Sequence, residues 1–285
     1  MMRFCDELAR FCLLAGLLLL AAAPGARAEP PRLWDPGYRT VLPDLSGVGR
    51  LRFLTSLDFP PFNFADATRR PTGFNVDLAR AICDHLDATE RCEIQAMPWD
   101  ELEGALEAER GDVILAGSTP GAELRARFGV SEPYFRFPAR FVGRRGAAIA
   151  DEGFAEIVNG SRVAVVAGSA HQAMLAAFFP GAEPVARPEI IEVYDALTGG
   201  DADFIFGDGV TLSFWLAAPV SEACCQFVSG PYLSHHFLGL GMVAVTRPED
   251  RLLLDAINAA LKAIEGNGVY DEIYTRYFPV DPYGR

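Results

Sequence analysis

From Arg50 onward, short apolar runs alternate with stretches of helical period. RLRFLTSL (50–57) predicts a strand, and GFNVDLARAICDHLD (73–87) sets Phe74, Leu78, Ile82 and Leu86 along one helical stripe. CEIQAMPW (92–99) predicts a strand, DELEGALEAER (100–110) a helix and DVILAG (112–117) a buried strand. The rhythm resumes after FPARFVGRR. Helices are predicted at DEGFAEIVNG, SAHQAMLAAFF, IIEVYDALTGG and GVTLSFWLAA, and strands at SRVAVVAG and DADFIFGD. CCQFVSG and FLGLGMVAV read as extended, and helices over 248–268 and 269–278 close the chain. This alternation predicts α/β layering with a largely parallel sheet. No internal repeat is visible in the sequence.

The first 28 residues follow another logic. Arg3 and Arg10 flank the start of an unbroken apolar run, Phe11 to Ala23, and small residues follow at 26–28. This is the pattern of a secretory signal peptide, too short and wrongly flanked for a membrane span. Cleavage after Ala28 and a periplasmic location are expected, an uncleaved N-terminal anchor being the alternative. Residues 29–49, rich in proline and glycine, read as an extended arm. What remains suits two lobes better than one core. A net charge of −13 argues against nucleic acid as a partner.

An exported chain meets an oxidising compartment. A Cys83–Cys92 bridge is expected to tie a helix end to the next strand, two unpaired buried thiols being the alternative. Cys224 and Cys225 are adjacent and form either a vicinal disulfide or free thiols. No cysteine or histidine spacing points to zinc, and no metal or cofactor is expected.

Four stretches together resemble the bacterial periplasmic solute-binding proteins of family 3, the polar amino-acid type. They are LDFPPFNFADATRRPTGFNVDLARAI, MPWDELEGALEAERGDVILAGST, SEPYF (131–135) and LLLDAINAALKAIEGNGVYDEIYTRYF. The resemblance implies the type II periplasmic binding protein fold: two α/β lobes joined by two hinge strands. Lobe one would comprise 50–135 plus 239–285, and lobe two 140–233. It also implies a monomer that holds a small polar solute, an amino acid or a related compound, between its lobes and delivers it to an ABC permease, without catalysis.

A buried zwitterion needs a partner for each charge. The resemblance places Asp208 against the ligand ammonium and Ser169, with its helix N-terminus, against the carboxylate, a plain helix N-cap being the alternative for each. Phe59 and Trp99 would supply aromatic walls, and Gly117, Ser118 and Thr119 backbone and hydroxyl contacts. The family's carboxylate-binding arginine lies five residues after that threonine, and here Leu124 occupies the place. Arg125 falls one residue late, about 100° round a helix. A one-residue bulge near Gly121 would bring it into position; otherwise Arg125 and Arg127 are solvated helix arginines. His171, His235 and His236 are expected on the surface, the alternatives being a place at the cleft border for His171 and pH sensing or ligand contact for His235 and His236. Two other functions fit the same fold: an accessory or sensor protein of a redox or signalling system, and a dehydratase-type enzyme. The second needs a cleft acid or base, for which only Asp208 and Glu132 offer themselves.

Overall fold

The computed structural model describes residue 43 and residues 49–147 and 153–284. The expected signal peptide and nearly all of the arm lie outside the described residues. The first half of the chain gives β1 (Leu51–Thr55), a small antiparallel sheet β2 (Asp58–Phe59), β3 (Asn63–Ala65) and β4 (Pro71–Thr72), and helix α1 (Phe74–His85). Then come β5 (Cys92–Ala96), α2 (Leu102–Glu107), β6 (Val113–Ile114), α3 (Ala122–Arg127) and β7 (Gly129–Val130). The chain crosses into a second sheet with β8 (Ala139–Arg144), α4 (Phe154–Val158), β9 (Arg162–Val166), α5 (Ala170–Phe178) and β10 (Glu183–Arg187). It continues through α6 (Ile190–Gly199), β11 (Phe204–Asp208), α7 (Gly209–Ala217), β12 (Cys225–Tyr232) and α8 (His235–Leu238). It returns as β13 (Val245–Thr246), α9 (Arg251–Gly266) and α10 (Val269–Tyr277).

The first sheet has the order β5-β1-β6-β13-β7 and the second β10-β9-β11-β8-β12. In each, the first three strands are parallel and the fourth runs antiparallel to both its neighbours. The inner strands β1, β6, β9 and β11 are buried on both faces, which is why they read as apolar runs rather than alternating ones. Along β9, Val163 and Val165 join one core with Phe141, Met174 and Phe206, while Ala164 joins another with Leu197, Ile205 and Trp215. That is the two-residue period of a strand. The predicted stripe of α1 packs Phe74, Leu78, Ile82 and Leu86 into the core of the first lobe.

The two lobes share a device that the sequence does not announce. In the first, the backbone N–H and guanidinium of Arg52 on β1 hold Asp112, the residue before β6. In the second, Arg162 on β9 holds Asp203, the residue before β11, through the same three contacts. Each pair ties the opening of one central strand to its parallel neighbour. The repeat lies in geometry rather than in matching letters.

One strand is unforeseen and two local readings differ from the structure. EPVAR (183–187) forms β10, an outer strand, and an edge position tolerates its Pro184. FLGLGMVAV is extended only in part, because Ser234 caps the short α8 by accepting the Phe237 N–H. Trp99 ends no strand; it opens a 3-10 turn leading into α2.

Cys83 and Cys92 are bonded, joining the end of α1 to the first residue of β5. Cys224 and Cys225 are bonded to one another at the start of β12. Peptide mapping without reductant should therefore recover a Cys83–Cys92 linked pair and no alkylated cysteine at 224 or 225. Ready alkylation of either pair would contradict the bonding. A loop of this size suggests that breaking Cys83–Cys92 costs about 2–3 kcal/mol.

Candidate functional site

Parallel α/β sheets bind ligands beyond the carboxyl ends of their strands, where connections diverge. Both sheets carry a depression there. In the second lobe it measures about 270 Å³ and is lined by Val166, Ile190, Phe206, Ser169, His171 and Asp208, among others. In the first it measures about 400 Å³, lined by Ser56, Leu57, Asp58, Ala96, Met97 and Pro98. The turns after β1 and β5 build the latter, and those after β9 and β11 contribute to the former.

Asp208 ends β11 and caps α7. Its Oδ1 accepts the Thr211 N–H at 2.7 Å and the Thr211 hydroxyl at 2.8 Å. Oδ2 has no hydrogen bond or ion pair among the described residues, and Asp208 lines the second-lobe pocket. Ser169 caps α5 in the same pocket: its Oγ accepts the Gln172 N–H and donates to the Val166 carbonyl. Ser169 and Asp208, far apart in sequence, thus border one half-site.

Phe59 and Gly117 meet in the first lobe. Gly117 has φ +103°, and a Cβ there would stand 2.8 Å from the Phe59 ring, so glycine lets the ring lie on the backbone turn. Phe59 stacks on the buried Phe62 at 4.9 Å and stays 37% exposed. Trp99 is 49% exposed just beyond the first-lobe depression. Ser118 is buried, its carbonyl accepting the Val243 N–H, while Thr119 is exposed.

Arg125 and Arg127 sit on α3 as helical phase dictates. Leu124 packs against the core containing Phe128, and the arginines point outward. Arg127 bridges Glu103 and Glu107, both on α2. Arg125 folds back, and its Nε donates to the Pro120 carbonyl at 3.4 Å. The chain between Thr119 and Gly121 makes a tight turn, with the Gly121 N–H on the Thr119 carbonyl. The arginine therefore stands over the Thr119 turn, solvated. His235 and His236 are exposed, as expected.

The expectation for His171 is corrected. It is half-buried in the second-lobe pocket, its ring edge-on to Phe206 at 6.2 Å, and its Nε2 is enclosed without a hydrogen-bond partner. Burial holds the imidazole below its usual range, against the opposing pull of Asp208. The signal was available in the sequence: His171 lies three and four residues before the buried Met174 and Leu175, on the same helical face. Below pH about 6.5 the unfolded chain takes up a proton that the folded imidazole resists, so stability falls with pH. Replacing His171 with Gln is expected to flatten the fall in Tm between about pH 7 and 5.5. An unchanged slope would assign that proton uptake to another group.

A family model for bacterial extracellular solute-binding proteins, family 3, matches residues 51–280. The chain belongs to that family. It is 29% identical over 230 residues to the putative ABC transporter arginine-binding protein 2 of Escherichia coli (strain K12), covering 80% of this chain and 90% of the relative. It is 28% identical over 245 residues to the L-arginine-binding protein of Pseudomonas aeruginosa, covering 85% and 93%. Among solved structures, an ancestral cationic amino acid solute-binding protein matches at 25% identity and TM-score 0.58, covering 81% of this chain and 96% of that one. The L-cystine solute receptor of Neisseria gonorrhoeae shares the fold, at TM-score 0.69 and 19% identity, covering 83% and 95%. This solute-binding protein has the two-lobe type II fold. Among its described residues no helix is long and apolar enough to cross a membrane.

Proposed function

We propose that this family 3 protein captures an amino acid between its lobes in the periplasm, as a monomer, and hands it unchanged to an ABC permease. The observation that carries the reading is Asp208, which lines a largely apolar half-site while only its Oδ1 is hydrogen-bonded among the described residues. A carboxylate so placed is a seat for a ligand ammonium. In this reading the first lobe comprises 50–135 with 239–285 and the second 140–233. Phe59 and Trp99 form the aromatic wall. Gly117, Ser118 and Thr119, with the Ser169 helix start, receive the carboxylate. Arg125 swings from the Pro120 carbonyl onto that carboxylate as the lobes close. The names of the relatives put arginine and histidine first among candidates, and Asp58 in the first-lobe depression suits a cationic side chain.

Thermal unfolding of ligand-stripped protein against the amino acids, polyamines and small organic acids tests this. A bound solute at about a hundred times its Kd adds about 2.7 kcal/mol, or several degrees of Tm. One or a few amino acids should stabilise, and Arg125→Ala should reduce the shift. Stabilisation by none of them, or chemical conversion of one, would replace the reading with an accessory or an enzymatic one.

A further inference from the structure

Arg140 is only 1% exposed at the junction of the two lobes. It lies on β8, opposite Gly207 in register and one place from the pair Ala139–Asp208. Its stem crosses Gly209, where a Cβ would stand 2.8 Å from the Arg140 Cγ, so the residue after Asp208 must be small. The guanidinium lies 4.3 Å from the centre of the Phe227 ring on β12. Its Nη1 donates to the carbonyls of Pro282, at 3.2 Å, and Gly284.

Those carbonyls belong to the segment that follows α10. It is rooted in the first lobe: the Tyr274 hydroxyl donates to Asp281 Oδ1 at 2.5 Å, and the same oxygen accepts the Tyr283 N–H at 2.8 Å. The Tyr283 hydroxyl donates to the Arg136 carbonyl on the first crossing between the lobes, and its ring packs near Phe135 and Tyr274. Pro282, Tyr283 and Gly284 are buried. The two crossings themselves pair through Phe135 and Met242. A segment held at both lobes by buried and half-buried polar contacts is costly to detach, because lost partners leave buried groups unsatisfied.

We propose that residues 279–284 are a third tie between the lobes, clamped on Arg140, which narrows the range of angles the hinge samples. Lobe closure is a hinge motion set by a few residues at the crossings. A tie anchored beside them, one register place from Asp208, biases that motion without touching the ligand.

The test uses the full chain with no ligand, so a failure of the amino-acid reading leaves it standing. Nitroxides are placed at Ala108, just after α2, and at Ala177 on α5, both exposed, through unnatural amino acids that leave the disulfides intact. Double electron–electron resonance then gives the distance distribution between the lobes. Truncation after Val280 should broaden it or move its mean by more than about 2 Å. Arg140→Met keeps the buried stem and removes the clamp; it should act in the same direction, and it decides the matter if the truncated chain does not fold. A distribution unchanged in Arg140→Met, or in a folded truncation, overturns the proposal.

Discussion

Asp208→Asn is expected to remove most of the affinity for the captured amino acid and to leave the fold intact. The separation follows from the two tasks of one carboxylate. Oδ1 caps α7, and asparagine caps a helix as well as aspartate does. In the proposed function Oδ2 carries the charge offered to the ligand, which an amide does not replace. Truncating one partner of a buried, hydrogen-bonded charge pair costs about 2–5 kcal/mol, roughly a 30- to 5,000-fold loss in affinity. Asp208→Ala loses the cap as well and should cost about 1 kcal/mol of stability on top. Titration calorimetry with the stabilising amino acid, beside Tm, reads both effects. An Asp208→Asn variant that binds like the parent would put the ammonium elsewhere.

The largest stability effect is expected at Asp112. Its side chain, 11% exposed, accepts from Arg52 and from Arg247, themselves 27% and 15% exposed. Removing it strands the half-buried Arg52 guanidinium and loosens β1 from β6, while Arg247 keeps Asp250 and the Gly111 carbonyl. Asp112→Ala should cost about 2–4 kcal/mol, which for a chain of this size is roughly 5–15 °C of Tm. The corresponding Asp203→Ala should cost a small fraction of that, because Asp203 and Arg162 are 42% and 44% exposed and their attraction is screened. The same contacts at two burials thus make an internal control. The pH dependence has a definite sign. Burial pushes the Asp112 carboxyl up, but the Arg52 hydrogen bonds and charge, with Arg247, outweigh it and hold the group below its usual range. Its contribution is complete above pH about 4 and is lost as pH falls through the lowered native value. Parent and Asp112→Ala should therefore converge in stability toward acid. A constant gap would show that packing, not charge, sets the difference.

Much of this was legible in the sequence because burial and period coincide there. The α1 stripe, the apolar runs of β1, β9 and β11, and the caps at Ser169 and Asp208 are local features. The Arg52–Asp112 and Arg162–Asp203 pairs were not legible, since each joins residues far apart and each residue alone reads as a surface charge. The edge strand β10 escaped because half-exposed EPVAR carries neither an apolar run nor a clean alternation. His171 was set on the surface by its residue type, although its phase with Met174 and Leu175 turned it inward. Leu124 and Arg125 show the same rule: the apolar residue takes the core side of α3 and the arginine beside it takes solvent.

The most direct test of the account is titration calorimetry of the mature, ligand-stripped protein with L-arginine, L-histidine and the other amino acids that raise its Tm. The recovered ligand is then chromatographed. The account predicts saturable binding of one amino acid per chain, lost in Asp208→Asn, with the ligand recovered unchanged. Absence of binding by every amino acid, or recovery of a different compound, would contradict it.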